Sequence, residues 1–596
     1  MAGPLQTASS TVSALLGRVD QPLAIIVVAG LILRLAELGA GLPAYPAEDE
    51  TTVMGVAIRV AAGDLNPHWF YWPSLWLYTL AFTFGAFFLA GRAVGTFPSL
   101  HDFELAYFRD PSALFLVGRG LSALLGAATI VLVYRLGRHL GSRGIGLMAA
   151  LLLAVSPLHV RYSHFMLTDV PMTFAICATF VLLLRAVEPP VRLWLAALAG
   201  GFAMSIKYPA AALLIPLSLA AVGSPAWPPR ALPAIRRLGV VVTAMAAGFV
   251  LTTPFALVDF PSFAGGLIYL LRTHLTVGSP GIFDPRVTAL AVYTSVGLPG
   301  ALGGPAMVLA AFGLGRLLID AVRRPKRGPL LVLSFVLPVS AVFMVTKTPH
   351  DRYLLPLLPF YALCAGLAVR PPGRASKWPR RAAFAGLVVV AAGPPLVATA
   401  GWLHVQALPD TRMIARQWLE PRVMRPTIVA IEKHGPRFPE GPSRLRAYLE
   451  TLHRLPGEDR ETKAQILRST RRYRALVGVP DPLIDGRFLF PTQRAATDLE
   501  TLRYSLDEVR ALGVRYIILD SSTSNRARLF PALYPEASTF YDQLQTDARL
   551  VLTVNERLPG CTDARFLPTW LVDLSWWCLR YRGPTIMIFE LGSSGE

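Results

Sequence analysis

The chain has 596 residues, of which 53% are hydrophobic and only 16% charged, with a formal net charge of +19. This balance excludes an ordinary soluble domain and points to a polytopic membrane protein. The positive charge does not indicate nucleic-acid binding. Arg and Lys gather in short loops between apolar runs, at 135–143, 230–237, 323–327 and 370–381, which is the pattern of cytoplasmic membrane loops.

Residues 1 to 20 are polar, and no cleavable signal peptide is evident. Gln21 to Ala40 is the first predicted membrane helix; its Arg34 must face protein or reach the interface. Residues 41 to 72 read as a non-spanning loop that opens with three adjacent carboxylates, Glu48, Asp49 and Glu50, and later carries His68. Within it, Val53 to Ala62 has helical apolar spacing and predicts an amphipathic helix along the membrane surface.

Apolar runs follow at 73–95, 112–135, 144–158, 170–187, 192–206, 210–222, 238–258, 296–319, 330–345, 353–369 and 382–402. With the first helix they give about twelve candidate spans, or eleven to thirteen given the length a span requires. If the basic loops are cytoplasmic, the turns holding His164 to Asp169, Lys207, Phe260 to Arg286 and Lys347 to Arg352 face outward, as does the tail after Trp402. Strict alternation from a cytoplasmic N-terminus conflicts with this, so one early run must fail to span; 73–95 is the suspect, because an acidic stretch follows it.

From about Leu403 charge rises and long apolar runs stop. About 190 residues remain, enough for one soluble α/β domain. Ser505 to Glu508 reads as a capping box, the helix it opens ends near Gly513, and Val514 to Leu519 reads as a buried strand. Val551 to Val554 and Thr585 to Leu591 are further strand candidates. Four cysteines are too few for a disulfide scaffold: Cys177 and Cys364 read as small core residues, while Cys561 and Cys578 can pair if the tail is extracytoplasmic.

The polar groups assigned to the outward side are Glu48, Asp49, Glu50, His68, Arg161, His164, Asp169, Lys207, Tyr208, Lys347, His350, Asp351 and Arg352. Two acids from separate loops with cations nearby suit a phosphorylated lipid: the cations hold phosphate oxygens and a carboxylate acts as general base on a hydroxyl. Each group also has a bland reading. Lys207 and Arg352 can reach for an interface, lone histidines are more often structural, and Asp169 before Val170-Pro171 can be a helix cap. Arg119, inside an apolar run, is expected to pair internally. No zinc-type spacing, phosphate-binding glycine loop or nucleophile elbow is present. A divalent metal ion stays open, because Asp49, Asp169 and a histidine can assemble a site that no spacing demands.

Pro46-Ala-Glu-Asp-Glu-Thr51, followed by Ala62-Gly-Asp-Leu-Asn-Pro67, resembles the first extracytoplasmic loop of the lipid-carrier-dependent GT-C glycosyltransferases. It is most similar to glycosyltransferase family 39, the dolichyl- or polyprenyl-phosphate-mannose–protein mannosyltransferases, and more distantly to the aminoarabinose transferases of lipid A. Tyr162 to Pro171, Ser205-Ile-Lys207-Tyr208 and Asp351 to Pro359 fit the same order, so the resemblance covers roughly residues 20 to 400. It implies a GT-C membrane domain over 21–402, with an extracytoplasmic α/β domain over 403–596. It also implies inverting transfer of a sugar from a polyprenyl phosphate to a hydroxyl of a protein, lipid or glycan, outside the plasma membrane. Asp49, Glu50 and Asp169 would be catalytic. Lys207, Tyr208, Arg352, His164, His350 and His68 would bind lipid phosphate or sugar. Two features depart from the relatives: Pro67 to Pro73 lacks the lysine of the aminoarabinose transferases, and no loop is long enough for the insert of the eukaryotic mannosyltransferases. A transporter or lipid flippase with the acids as proton or substrate sites is the alternative, and a non-catalytic scaffold a third reading.

Overall fold

The computed structural model describes residues 20–43, 48–186, 193–223, 231–278, 287–323, 325–369, 378–454, 460–490, 501–559 and 575–592. The chain is a multi-pass membrane protein: long apolar helices, then a mixed sheet. The first helices are α1 (Gln21–Leu35), α2 (Glu48–Ala61), α3 (Leu75–Ala93), α4 (Leu100–Arg109) and α5 (Ser112–Leu140). Next come α6 (Arg143–Val155), α7 (Pro157–Ser163), α8 (Asp169–Ala186), α9 (Leu193–Met204), α10 (Leu214–Val222) and α11 (Ala231–Thr252). After short helical pieces between 255 and 302 follow α12 (Gly304–Arg323), α13 (Arg327–Val345), α14 (Leu358–Ala368) and α15 (Trp378–Ala407).

Among the described residues, six helices are long and apolar enough to cross a membrane: α3, α5, α11, α12, α13 and α15. A seventh span arises if the bent pair α6–α7 counts as one, and five apolar helices are shorter, at 10–17 residues. The run 73–95, suspected of not spanning, forms α3 and is one of the six. The run 144–158 instead breaks by 60° between α6 and α7. Ser156 makes that break: its side chain caps α7 by accepting from the His159 N–H at 3.3 Å, and Pro157 starts the new helix. Buried Arg34 stabilises the joint from α1, donating to the Leu153 and Ala154 carbonyls at 3.1 Å each, where the end of α6 leaves acceptors exposed. Arg34 thus faces protein.

The three carboxylates do not sit in a loop. They form the first turn of α2, where negative charge suits the helix N-terminus. Nor does α2 lie free on a surface: Glu50, Val53, Met54, Val56, Ala57 and Val60 are buried, and the helix packs on α3.

α15 extends to Ala407, past the composition change at Leu403. Beyond it stand α16 (Thr411–Leu419), β1 (Thr427–Ile431), α17 (Pro442–Arg454), α18 (Arg460–Leu476), β2 (Ile484–Phe490), β3 (Thr501–Arg503), α19 (Leu506–Ala511) and β4 (Val514–Asp520). The chain then adds α20 (Ser521–Leu529), α21 (Pro535–Asp547), β5 (Ala548–Val554) and β6 (Ile586–Leu591). The sheet order is β3-β2-β1-β4-β6-β5, with β1 to β4 parallel and β6 antiparallel to both its neighbours. The Ser505 cap forms, accepting from the Glu508 N–H at 3.3 Å, and Gly513 takes the left-handed conformation (φ 69°) that ends the helix. Cys177 and Cys364 are free and buried; Cys578 is disulfide-bonded, and Cys561, which the sequence left able to pair with it, lies outside the described residues.

Candidate active site at the helix ends

Four charged residues from four separate segments meet. Asp49 lies in the first turn of α2, and Asp169 is the first residue of α8. Lys207 stands in extended backbone just after α9, held there by the 3₁₀ turn Tyr208–Leu213, whose proline sets the turn. Arg352 belongs to the 3₁₀ turn Asp351–Leu354 before α14. All four are at element ends.

They form two acid–cation pairs. The Lys207 ammonium donates to Asp169 Oδ1 at 2.6 Å, and an Arg352 guanidinium N–H donates to Asp49 Oδ2. Arg352 also feels the charge of Asp169, so the two pairs share one electrostatic field. Burial would lower Arg352, but the Asp169 and Asp49 carboxylates outweigh it and raise its pKa above the ordinary value. Burial holds Lys207 below its ordinary value, and the Asp169 carboxylate opposes this only in part. Asp49 is the open member: its side chain is 36% exposed, against 22% for Arg352, 12% for Lys207 and 3% for Asp169. Tyr353 stands beneath both cations, its ring centroid 5.7 Å from Lys207 Nζ and 5.9 Å from the Arg352 guanidinium carbon.

A neighbouring layer fixes this quartet. Tyr162 donates its hydroxyl to Asp351 Oδ1 at 2.9 Å, and Arg161 pairs with the same carboxylate. Burial would raise Asp351, but the Arg161 charge prevails and holds it below the usual carboxylate value. That clamp joins α7 to the Arg352 turn. His350 is drawn down to about 4 by burial and the Arg352 charge, and burial with Lys207 and Arg352 lowers His274 as well. Both histidines are therefore neutral near pH 7, and the positive charges paired with Asp169 and Asp49 are those of Lys207 and Arg352.

Glu50 points the other way from Asp49. Arg119 embraces it with two bonds, Nε to Oε1 at 2.9 Å and an NH2 group to Oε2 at 2.7 Å, and the Met166 N–H adds a third at 3.0 Å. Both partners are almost wholly buried. The internal partner expected for Arg119 is thus Glu50, and the pair ties α2 to α5. The other expected site residues stand apart from the quartet. His164 is buried with its ring nitrogens against the Val160 and Ala36 carbonyls, at 2.9 and 2.7 Å. His68 faces Asp64 at 3.2 Å and Asp259 at 3.6 Å, in left-handed backbone (φ 52°). Tyr208 donates to the Phe70 carbonyl at 2.8 Å. The Glu48 side chain lies outside the described residues. Sequence reading passed over Tyr353, Tyr162 and His274; of these, Tyr162 and Tyr353 lay inside motifs it had singled out, while His274 carried no signal.

Asp49 and Asp169 are each engaged by a cation, and among the described residues no group of three or more His, Cys, Asp or Glu is placed to hold a metal.

Residues 113–257 match the family model described as dolichyl-phosphate-mannose-protein mannosyltransferase. No curated protein matches the chain. Among solved structures, the Archaeoglobus fulgidus oligosaccharyltransferase is similar at 12% identity and a TM-score of 0.49, covering 90% of this chain and 73% of its own. ArnT from Cupriavidus metallidurans, solved bound to undecaprenyl phosphate, is similar at 14% identity and a TM-score of 0.47, covering 95% and 97%. The mycobacterial arabinofuranosyltransferase AftD is similar at 17% identity and a TM-score of 0.42, covering 96% and 42%.

Proposed function

We propose that this chain, which carries the mannosyltransferase-family match over residues 113–257, is an integral-membrane inverting glycosyltransferase. In this reading it moves a sugar from a polyprenyl-phosphate carrier to a hydroxyl acceptor on the outer face of the membrane. The observation that carries the reading is the paired quartet, in which two cations and one open carboxylate stand together at element ends.

The chemistry follows from charge. A sugar phosphodiester is a monoanion, and its leaving group becomes a phosphate dianion. As the bond from C1 to the phosphate oxygen breaks, the electron pair leaves with the polyprenyl phosphate. Arg352 and Lys207 are placed to stabilise that growing charge, which is the term that most lowers such a barrier. Donor phosphate competes with Asp49 for Arg352, so donor binding frees the Asp49 carboxylate. Asp49 then takes the proton of the acceptor hydroxyl while the acceptor's oxygen forms the new bond to C1. Asp169 holds Lys207 in position. A transporter would more commonly set its charges in broken helices near mid-membrane, and the helix-end placement of all four groups favours the enzyme.

Labelled polyprenyl-phosphate sugars offered to membranes test this reading, with equally expressed wild type and Asp49→Asn. Transfer is expected in the wild type, with a loss of about 10²–10⁴-fold in the variant, the usual worth of a general base. Equal transfer by both would remove Asp49 from the chemistry. No transfer with any donor, alongside donor-lipid translocation in vesicles, would replace the enzyme by the transporter.

A further inference from the structure

A cavity lies at the end of the membrane domain away from the quartet. α8 begins at Asp169, and Arg185, in its last turn, stands roughly 24 Å further along the helix axis. On α5, Arg119 and Arg138 are separated by roughly 28 Å of helix. Both lengths approach the thickness of a bilayer's hydrocarbon core, about 30 Å. α5 and α8 pack together, and at their last turns the cavity holds about 380 Å³. Ligand pockets are on the order of 300–1,000 Å³, so this one suits a small polar group rather than a long chain.

Its wall has two parts. Leu136, Val181 and Leu184 are buried and make an apolar floor. The start of α13 closes behind that floor: a Cβ on Gly328 would stand 2.9 Å from Leu140 Cδ2 and 3.8 Å from Leu184 Cδ2. Arg135, Arg138 and His139 of α5 and Arg185 of α8 make an exposed rim. Arg138 lies over the Tyr134 ring, 5.7 Å from its centroid. No acid lines the cavity among the described residues, and none of the three arginines forms an ion pair with a described residue. Asp20, the carboxylate that the Tyr134 hydroxyl reaches, is held by Arg143 at 2.8 Å. The stretch 187–192 after α8 contains one acid, Glu188, and one base, Arg192, so it leaves the surplus of positive charge unchanged.

Arginines near helix C-termini complement the helix dipole, and basic loops mark the cytoplasmic side. These effects account for single charges at helix ends. They do not account for three guanidinium groups from two helices meeting around one apolar floor. Forked guanidinium donors match the oxygens of a phosphate, and a phosphate set among them offsets their mutual repulsion. The bilayer edge and the apolar floor favour a phosphate that carries hydrocarbon. We propose that this cavity binds the phosphate headgroup of an anionic bilayer phospholipid, with the acyl chains remaining outside it. The bound phosphate bridges α5 and α8, the helices that carry Arg119 and Asp169 near their other ends. The site is independent of whether the quartet transfers a sugar. A free phosphate ester shares the headgroup chemistry and lacks the chains, so the two sources separate by experiment.

Native mass spectrometry of the full chain in neutral detergent counts bound lipid and tests the site. The probes are dioctanoyl phosphatidylglycerol, dioctanoyl phosphatidylcholine, glycerol 3-phosphate and a short-chain polyprenyl phosphate. Phosphatidylglycerol should bind wild type at least about tenfold more tightly than phosphatidylcholine or glycerol 3-phosphate. It should bind at least about tenfold more weakly to Arg135→Gln/Arg138→Gln/Arg185→Gln, which loses the charge-assisted hydrogen bonds. Arg236→Gln/Arg237→Gln/Arg323→Gln removes the same charge at the ends of α11 and α12, outside the cavity lining, and should bind like wild type. Phosphatidylglycerol should also raise the Tm of wild type and of this control, and not that of the cavity variant. Arg185→Gln alone should weaken binding several-fold, which keeps the test open if the triple variant fails to fold. Undiminished binding to the cavity variants overturns the site, and equal losses in cavity and control variants reduce it to diffuse charge. Equal binding of phosphatidylcholine removes the phosphate selectivity. Equal binding of glycerol 3-phosphate replaces the phospholipid by a free ester, and displacement by an equimolar polyprenyl phosphate replaces it by the carrier.

Discussion

Two neighbouring acids in one helical turn have opposite surroundings. Asp49 is open and paired with one arginine, while Glu50 is sealed under Arg119 with both oxygens in use. Sequence reading gave the two a joint catalytic role; the geometry gives Glu50 the position of an anchor that sets the rotation of α2 and so aims Asp49. This separates their variants. Glu50→Gln leaves the Arg119 charge buried without its partner, and the cost of breaking such a pair is about 3–5 kcal/mol. A clear fall in Tm in detergent is expected, with transfer retained per folded molecule. Asp49→Asn should do the opposite, removing transfer with little change in Tm, since a partly exposed pair stabilises by at most about 1 kcal/mol. If Glu50→Gln abolished transfer at unchanged Tm, Glu50 would be a chemical participant after all. Sequence could mark these acids because charge beside an apolar run is conspicuous. It could not say which faced inward, because one residue's step around a helix turns a side chain by roughly 100°.

At the scale of elements, helix contacts decide where the polar ends meet. α9 and α11 cross through Gly201 and Gly248, each occupying space where a Cβ would overlap the other helix's backbone. Lys207 follows directly on α9, so this crossing also positions one cation of the quartet. Small residues at such a crossing let the backbones approach, which is how membrane helices gain packing without a hydrophobic drive between them. Gly201→Leu should force α9 off α11 at a cost of at least about 1–3 kcal/mol. Reduced thermal stability, together with weakened retention of polyprenyl phosphate by the displaced Lys207, is the expected result; unchanged retention would show that the crossing does not position Lys207. Most of the helices in this domain were legible as apolar runs. Their ends and breaks were less so: the turn at Ser156 is written in a serine-proline pair inside a continuous apolar stretch, and hydropathy does not register it.

For the whole molecule, the sheet domain carries a pH dependence of its own. Glu432 follows β1 and Asp520 ends β4, side by side in the sheet and both buried. Glu432 accepts from the Asp520 N–H at 2.7 Å and from the hydroxyls of Tyr504 and Tyr541. Burial, reinforced by the Asp520 charge, pushes its carboxyl up to about 8 despite these bonds. The folded domain therefore keeps a proton that the unfolded chain releases near 4.5. The unfolded state binds fewer protons in that interval, so stability is full below about 4.5 and falls as pH rises through about 8. Thermal unfolding followed across this window should show a declining Tm, and Glu432→Gln should flatten the decline. A rising Tm in the native protein would contradict the assignment. The four parallel strands that bring these acids together were only partly visible in sequence. Val514 to Leu519 stood out as an apolar run interrupted only by Arg515, whereas β1 and β3 are too short to show a period, and α17 and α18 carry too many charges to resemble core helices.

By itself, the sequence determined the membrane class, the placement of most helices, the change of character near residue 403 and the residue types able to handle a phosphate. All of these depend on local composition, and local composition is what hydropathy, charge clustering and capping chemistry report. Tertiary structure decided the rest. Arg352 finds Asp49 across 303 positions of sequence, Arg119 finds Glu50 across 69, and Tyr162 finds Asp351 across 189. Those partnerships depend on crossing angles, on helix rotation and on a 60° break. Each of these is fixed by how side chains fill the space between helices, and no run of neighbouring residues contains that information.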